Sequence, residues 1–138
     1  MRIVLDANIV IMGLMGSRSV ITILTGQNHK FYVPKKIFSE IRKYERIICE
    51  RTKQNSEEFT LNFEALSAFV TETDEKDYDP FLEKARTLLK NRDLTDVEYV
   101  ACALAVNADF IWTNDKDFSV QTLVKTRNTQ EFIQDFKK

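Results

Sequence analysis

The sequence predicts an α/β fold whose parallel sheet is covered by helices on both faces. Three observations carry this reading. Short β-like runs alternate with longer helix-like ones along the whole chain. The first run, Ile3-Val4-Leu5, is continuously apolar, as a strand buried on both faces should be. Several of the later runs are also short and apolar and stop at polar residues, as Phe110-Ile111-Trp112 stops at Thr113-Asn114-Asp115.

In chain order, Ile3 to Leu5 is the first strand, ending at Asp6. Ser17 to about Gly26 reads as a short helix, with Ser17 or Ser19 as cap and Gly26 as stop. Val20, Ile21, Ile23 and Leu24 would pack it. Phe31-Tyr32-Val33 is a second strand, and Pro34 both holds Val33 extended and suits a helix's first turn. A long helix is predicted from about Pro34 to Arg51. Ile37, Ile41, Tyr44 and Ile48 would lie along one face at 3.6-residue spacing. Ser56 to Ser67 is a further amphipathic helix with Glu57 and Glu58 in its first turn.

Phe69-Val70-Thr71 is a third strand, and Glu72 to Asp79 reads as an acidic loop. Pro80 to Leu89 is a helix, followed by a break at Asn91-Arg92. Thr95-x-x-Glu98 has the form of a capping box for the next helix. That helix is apolar at Val97, Val100, Ala101, Leu104 and Ala105, and also at Cys102, Ala103 and Val106, so it should be buried among neighbours. Thr122-Leu123-Val124 is the last predicted strand and Thr129 to Phe136 a terminal helix. No internal repeat or low-complexity tract interrupts this order.

Composition bounds the function. The chain has 138 residues, enough for one ordinary domain, and 43% of them are hydrophobic, enough for one core. Twenty basic residues stand against 21 acidic ones, so any nucleic-acid contact must come from a local patch. Three glycines are too few for a Gly-rich phosphate loop. One histidine, His29, excludes a histidine pair acting as acid and base. Cys49 and Cys102 form neither a CxxC nor a zinc quartet, and read as reduced thiols. No apolar stretch reaches the roughly 18 residues of a membrane span. An acid at position six argues against a signal peptide, so the expected location is cytoplasmic.

The chemistry is in the acids. Asp6 and Asp115 follow strands, and ligands of open parallel sheets bind at the strands' carboxyl ends. An Asp in that position is also a common turn residue or helix cap. Glu40 lies near the N-terminal end of the helix after the second strand, where it could also be a solvated helix-face glutamate, and Asp96 lies in the first turn of the buried helix, where the dipole alone would favour it. Asp93 and Glu98 compete with Asp96, and Asp117 could reach the same cleft as Asp115 or simply stabilise a turn. Asn8 could orient a carboxylate or cap a turn. Two carboxylates 4 Å apart repel by about 4 kcal/mol at an effective dielectric near 20. A convergent cluster therefore needs protons or cations, and oxygen donors without His or Cys favour Mg²⁺ or Mn²⁺.

Four pieces in order carry a resemblance. They are Ile3-Val4-Leu5-Asp6-Ala7-Asn8, Val33-Pro34 with Glu40, Thr95-Asp96 running into Ala101-x-Ala103, and Thr113-Asn114-Asp115-Lys116-Asp117-Phe118. Together the sequence resembles the PIN-domain nucleases, especially the compact VapC-like toxins of prokaryotic toxin–antitoxin pairs. The resemblance implies a single PIN-like domain over residues 1–138, a three-layer α/β/α fold with a mainly parallel sheet of about five strands. It implies Mg²⁺- or Mn²⁺-dependent RNA hydrolysis by in-line attack of metal-activated water. Asp6, Glu40, Asp96 and Asp115 correspond to the acidic quartet, with Asp117 a fifth member. Asp6, Asp96, Asp115 and Asp117 would be metal ligands, Glu40 would help orient the water, and Asn8 and Thr113 would support. Lys35, Lys36, Arg42 and Lys43 could hold the RNA backbone or be a solvated helix face.

Three other functions use the same residues. A PIN scaffold could bind RNA or protein without turnover. An RNA-processing PIN nuclease would keep the chemistry and change the biology. A receiver-like phosphorylation switch also has acids at strand ends, but it needs an acid pair after the first strand, and Asp6 is followed by Ala7. A toxin implies a cognate antitoxin, and the family suggests a homodimer.

Overall fold

Five short strands form one parallel sheet in the order β3-β2-β1-β4-β5. They are β1 (Arg2–Leu5), β2 (Lys30–Pro34), β3 (Val70–Thr73), β4 (Phe110–Trp112) and β5 (Thr126–Arg127). The computed structural model describes residues 1–89, 94–115 and 124–136. The predicted break at Asn91-Arg92 lies outside them, as do Asp93, Asp117 and the first two residues of the predicted last strand, Thr122 and Leu123. The last strand within the described residues begins at Thr126, with Val124 in a bend before it.

The pleat divides the core in two. Ile3, Leu5, Phe31, Val33, Phe110 and Trp112 face one layer, while Val4 and Ile111 face the other. The first layer contains α1 (Ala7–Leu14), α2 (Arg18–Thr25), α5 (Ser56–Ser67) and α9 (Thr129–Phe136). The second is dominated by α8 (Leu94–Ala105), with α7 (Leu82–Leu88) against it. The result is the three-layer α/β/α arrangement.

Local chemistry explains most elements. Ser17 caps α2 through Val20, as expected, and Gly26 ends it, although the left-handed residue is the following Gln27. The helix Ser56–Ser67 has the predicted bounds, but its cap is Asn55, which forms a reciprocal box with Glu58. α8 is buried through Val97, Val100, Ala101, Cys102 and Ala103.

Four expectations need correction. A helix, α1, directly follows Asp6, where the sequence pattern marks none. The long helix from Pro34 to Arg51 is two helices, α3 (Lys35–Ile41) and α4 (Glu45–Thr52), joined by a 3₁₀ turn at Arg42–Tyr44. That turn rotates Tyr44 out to 49% exposure while Ile37, Ile41 and Ile48 stay buried. The supposed loop Glu72 to Asp79 contains the end of β3 and a short helix α6 (Glu75–Tyr78), which buries Tyr78 and carries acids in its first turn. α8 spans Leu94–Ala105, so Thr95 lies within it, and the Glu98 carboxylate accepts the Tyr78 hydroxyl and lies 3.8 Å from Lys36.

His29 precedes β2, far from the carboxyl ends of the strands, and packs edge-on against Phe31 and Phe132. Burial and the terminal ammonium lower its pKa from 6.5, against a smaller pull from Asp109. The unfolded chain therefore binds a proton that the folded chain resists. Stability should fall as pH drops through 6.5 and below. Thermal unfolding of wild type and His29→Gln between about pH 8 and pH 5 should show a shallower acid loss in the variant.

Candidate active site

The sheet order reverses between β1 and β4, since successive crossovers run to opposite sides of β1. That reversal opens a crevice at the strands' carboxyl ends. Leu5 and Trp112 are paired across it, and the Asp6 amide donates to the Trp112 carbonyl at 3.1 Å. Asp6 and Thr113 are thus the first residues beyond two adjacent strands.

Asp6 is only 6% exposed and is the N-cap of α1. Its Oδ1 accepts the Asn8 amide at 3.1 Å, and its Oδ2 accepts the Thr113 hydroxyl at 2.7 Å. The Thr113 oxygen in turn accepts the Asp115 amide at 3.0 Å. One hydroxyl therefore fixes the Asp6 carboxylate and the backbone that presents Asp115. Asn8 supports Asp6 through its main chain, with its side chain exposed. The neighbouring Asn114 accepts the Thr129 amide at 2.9 Å and so joins this turn to α9.

Asp96 is half-buried in the first turn of α8. Three residues on, the Tyr99 hydroxyl accepts the Ala7 amide at 2.9 Å, which brings α8 against the Asp6 turn. Burial, then the charges of Asp6 and Asp96 among others, pushes the Tyr99 phenol strongly up. Asp6, Thr113, Asp115 and, by way of Tyr99, Asp96 thus share one corner of the molecule.

Glu40 stands apart from this network. The break after Ile41 puts it in the last turn of α3, where a position near the N-terminal end of a long helix was expected. Its carboxylate is half-exposed and 4.0 Å from Lys43. α3 is joined to α8 by Lys36, 3.8 Å from the buried Glu98, which also accepts the Tyr78 hydroxyl at 3.4 Å. Burial raises the Glu98 carboxyl, with Lys36 opposing. An open groove of about 690 Å³ beside Glu40 is lined by Lys35, Lys36, Lys43 and Asp74 among others. Arg42 does not line it; its guanidinium lies 5.3 Å over the Phe63 ring.

Among the described residues, no three His, Cys, Asp or Glu side chains are grouped closely enough to cage a metal ion. The donor chemistry nevertheless fits a hard cation, because Mg²⁺ commonly uses one or two carboxylates with waters and substrate phosphate. Asp6 has lone pairs left after its two hydrogen bonds.

Thr113→Val tests the clamp. It keeps the shape but removes a buried donor to Asp6 and acceptor for Asp115. It should cost about 1–3 kcal/mol, read from the urea midpoint.

Tyr99 and Glu98 were the residues that local pattern did not single out correctly. Tyr99 has only one cue, its i+3 spacing from Asp96 on a helix that is otherwise mostly small and aliphatic.

The chain matches the PIN domain family over residues 4–137. Among curated proteins, none matches significantly by sequence. In fold it is similar to a crystal structure of VapBC2 from Rickettsia felis bound to a DNA fragment from their promoter. The TM-score is 0.68 at 17% identity, covering 93% of this chain and 98% of that one. The five-stranded parallel sheet, the acids at its reversal point and the family match over nearly the whole length lead to one conclusion: the chain belongs to the PIN-domain family, a family of nucleases that generally use divalent metals.

Proposed function

We propose that this chain is a metal-dependent ribonuclease that hydrolyses RNA phosphodiester bonds, and that it is the toxin of a toxin–antitoxin pair. The observation that carries the reading is the buried Asp6 carboxylate at the sheet reversal, held by Thr113 and the Asn8 amide. An acid held this firmly beside the backbone of a second acid suits cation binding better than turn capping alone. A cap needs only the bond to Asn8.

In this reading Asp6, Asp96, Asp115 and Asp117 hold Mg²⁺ or Mn²⁺, and the bound ion supplies a nucleophilic water and neutralises phosphate charge. Thr113 keeps both oxygens of Asp6 oriented and sets the turn of Asp115. Glu40, on the groove side, would accept a hydrogen bond from the attacking water. Lys35, Lys36 and Lys43 would hold the RNA backbone. Each now faces an acid at 3.6–4.0 Å. The Lys35–Asp74 and Lys43–Glu40 pairs are exposed, so phosphates can exchange into them, whereas Lys36 is half-exposed against the buried Glu98. The similarity to VapBC2 supports a cognate antitoxin as partner. The reading also includes a cytoplasmic location and a homodimer, which light scattering would test against the 16.1 kDa monomer.

The test is cleavage of a panel of structured and single-stranded RNAs in Mn²⁺, in Mg²⁺ and in EDTA, beside Asp6→Asn. Metal-dependent cuts that vanish in the variant support the nuclease. Absence of both cutting and metal binding would turn the reading to a non-catalytic scaffold.

A further inference from the structure

We propose that Tyr99 is a positioning residue of the acidic site: its hydroxyl sets the spacing between the Asp6 turn and the Asp96 face of α8. The inference rests on the reading of Asp6 and Asp96 as metal ligands. It begins from the first turn of α1, whose leading amides have no partner within the helix. The Asn8 amide goes to the Asp6 side chain and the Ile9 amide to the Asp6 carbonyl. The Ala7 amide goes to Tyr99, 92 residues away, at 2.9 Å.

Tyr99 is 2% exposed and three residues beyond Asp96, hence on the same side of α8. Among the described side chains, the rest of the buried surface of α8 is Val97, Val100, Ala101, Cys102 and Ala103, with Glu98 facing Tyr78 and Lys36. Packing alone would be satisfied by another apolar side chain at position 99. The hydroxyl is what packing does not require, and it is bonded to the residue next to Asp6. It therefore serves as a fixed acceptor for the amide beside Asp6. Partners that orient metal ligands typically change metal affinity 10–100-fold when removed.

The experiment is Mn²⁺ titration of metal-free protein by calorimetry, with RNA cleavage kinetics, for wild type, Tyr99→Phe, Tyr78→Phe and Asp6→Asn. Tyr99→Phe keeps the ring and loses the hydroxyl. It should weaken Mn²⁺ binding about tenfold and lower kcat by a similar factor, with KM for RNA unchanged. Tyr78→Phe removes a phenol from the same helix's other polar link and should leave Mn²⁺ affinity unchanged. If Tyr99→Phe does not fold, Tyr99→Met fills similar space without the hydroxyl and should show the same Mn²⁺ loss. A lowered Tm with wild-type Mn²⁺ affinity and kcat would reduce Tyr99 to a structural residue and overturn the proposal. An equal Mn²⁺ loss in Tyr78→Phe would also overturn it. Mn²⁺ binding that is lost in Asp6→Asn but intact in Tyr99→Phe sinks this inference alone. Wild type that binds no Mn²⁺ sinks it together with the metal reading.

Discussion

Asp6→Asn should abolish metal-dependent RNA cleavage while leaving a folded protein. The two halves of this expectation have separate causes. Asn caps a helix as well as Asp does, so Oδ1 can still accept the Asn8 amide. At the other oxygen the polarity inverts. The new amide group donates to the Thr113 oxygen, whose hydroxyl proton must find another acceptor. One neutral hydrogen bond is disturbed, worth about 1 kcal/mol, and a buried negative charge is removed. Metal-free stability should therefore change by no more than about 1 kcal/mol. Activity has no such compensation, because an amide is a poor ligand for a hard cation. The loss should exceed the roughly 100-fold that removal of a merely orienting partner can cost. Unfolding with and without Mn²⁺ completes the test. Wild type should gain stability with added metal and the variant should not. Equal metal shifts in both would remove Asp6 from the site.

The strands and strand-end acids were legible because their signals are local. Ile3-Val4-Leu5-Asp6 and Phe110-Ile111-Trp112 with Thr113-Asn114-Asp115 each declare a buried strand and its polar end within a few residues. α1 was not legible. Ala7 to Leu14 is apolar nearly throughout, rich in β-branched residues and contains Gly13, so neither period nor propensity marks a helix. It is fixed by burial of Ile9, Val10 and Leu14 and by the cap from Asp6. The break at Arg42–Tyr44 has no Gly or Pro to announce it. The partners of Glu98 were not legible because Thr-x-x-Glu is a local pattern, whereas Tyr78 and Lys36 reach Glu98 from other elements. The Ala7–Tyr99 bond spans 92 residues, and no window of sequence contains both ends.

The largest stability effect lies beneath the site. Trp112 is fully buried, with ring centroids 5.0 Å from Phe132 and 6.2 Å from Phe31. Its indole N–H donates to the Thr129 hydroxyl at 3.0 Å, and its carbonyl accepts the Asp6 amide. It joins the sheet to α9 and is the residue immediately before Thr113. Trp112→Ala should cost about 3–5 kcal/mol, read from the denaturant midpoint. That is a large part of the roughly 5–15 kcal/mol that holds a domain folded. Because the backbone bond to Asp6 survives truncation, the acids should still assemble in whatever fraction remains folded. Mn²⁺ at about 100 times its Kd would then return about 2.7 kcal/mol, most of the loss. Recovery in Trp112→Ala but none in the Trp112→Ala, Asp6→Asn double variant would show that folding creates the cation site. Recovery in both would mean that the ion binds elsewhere.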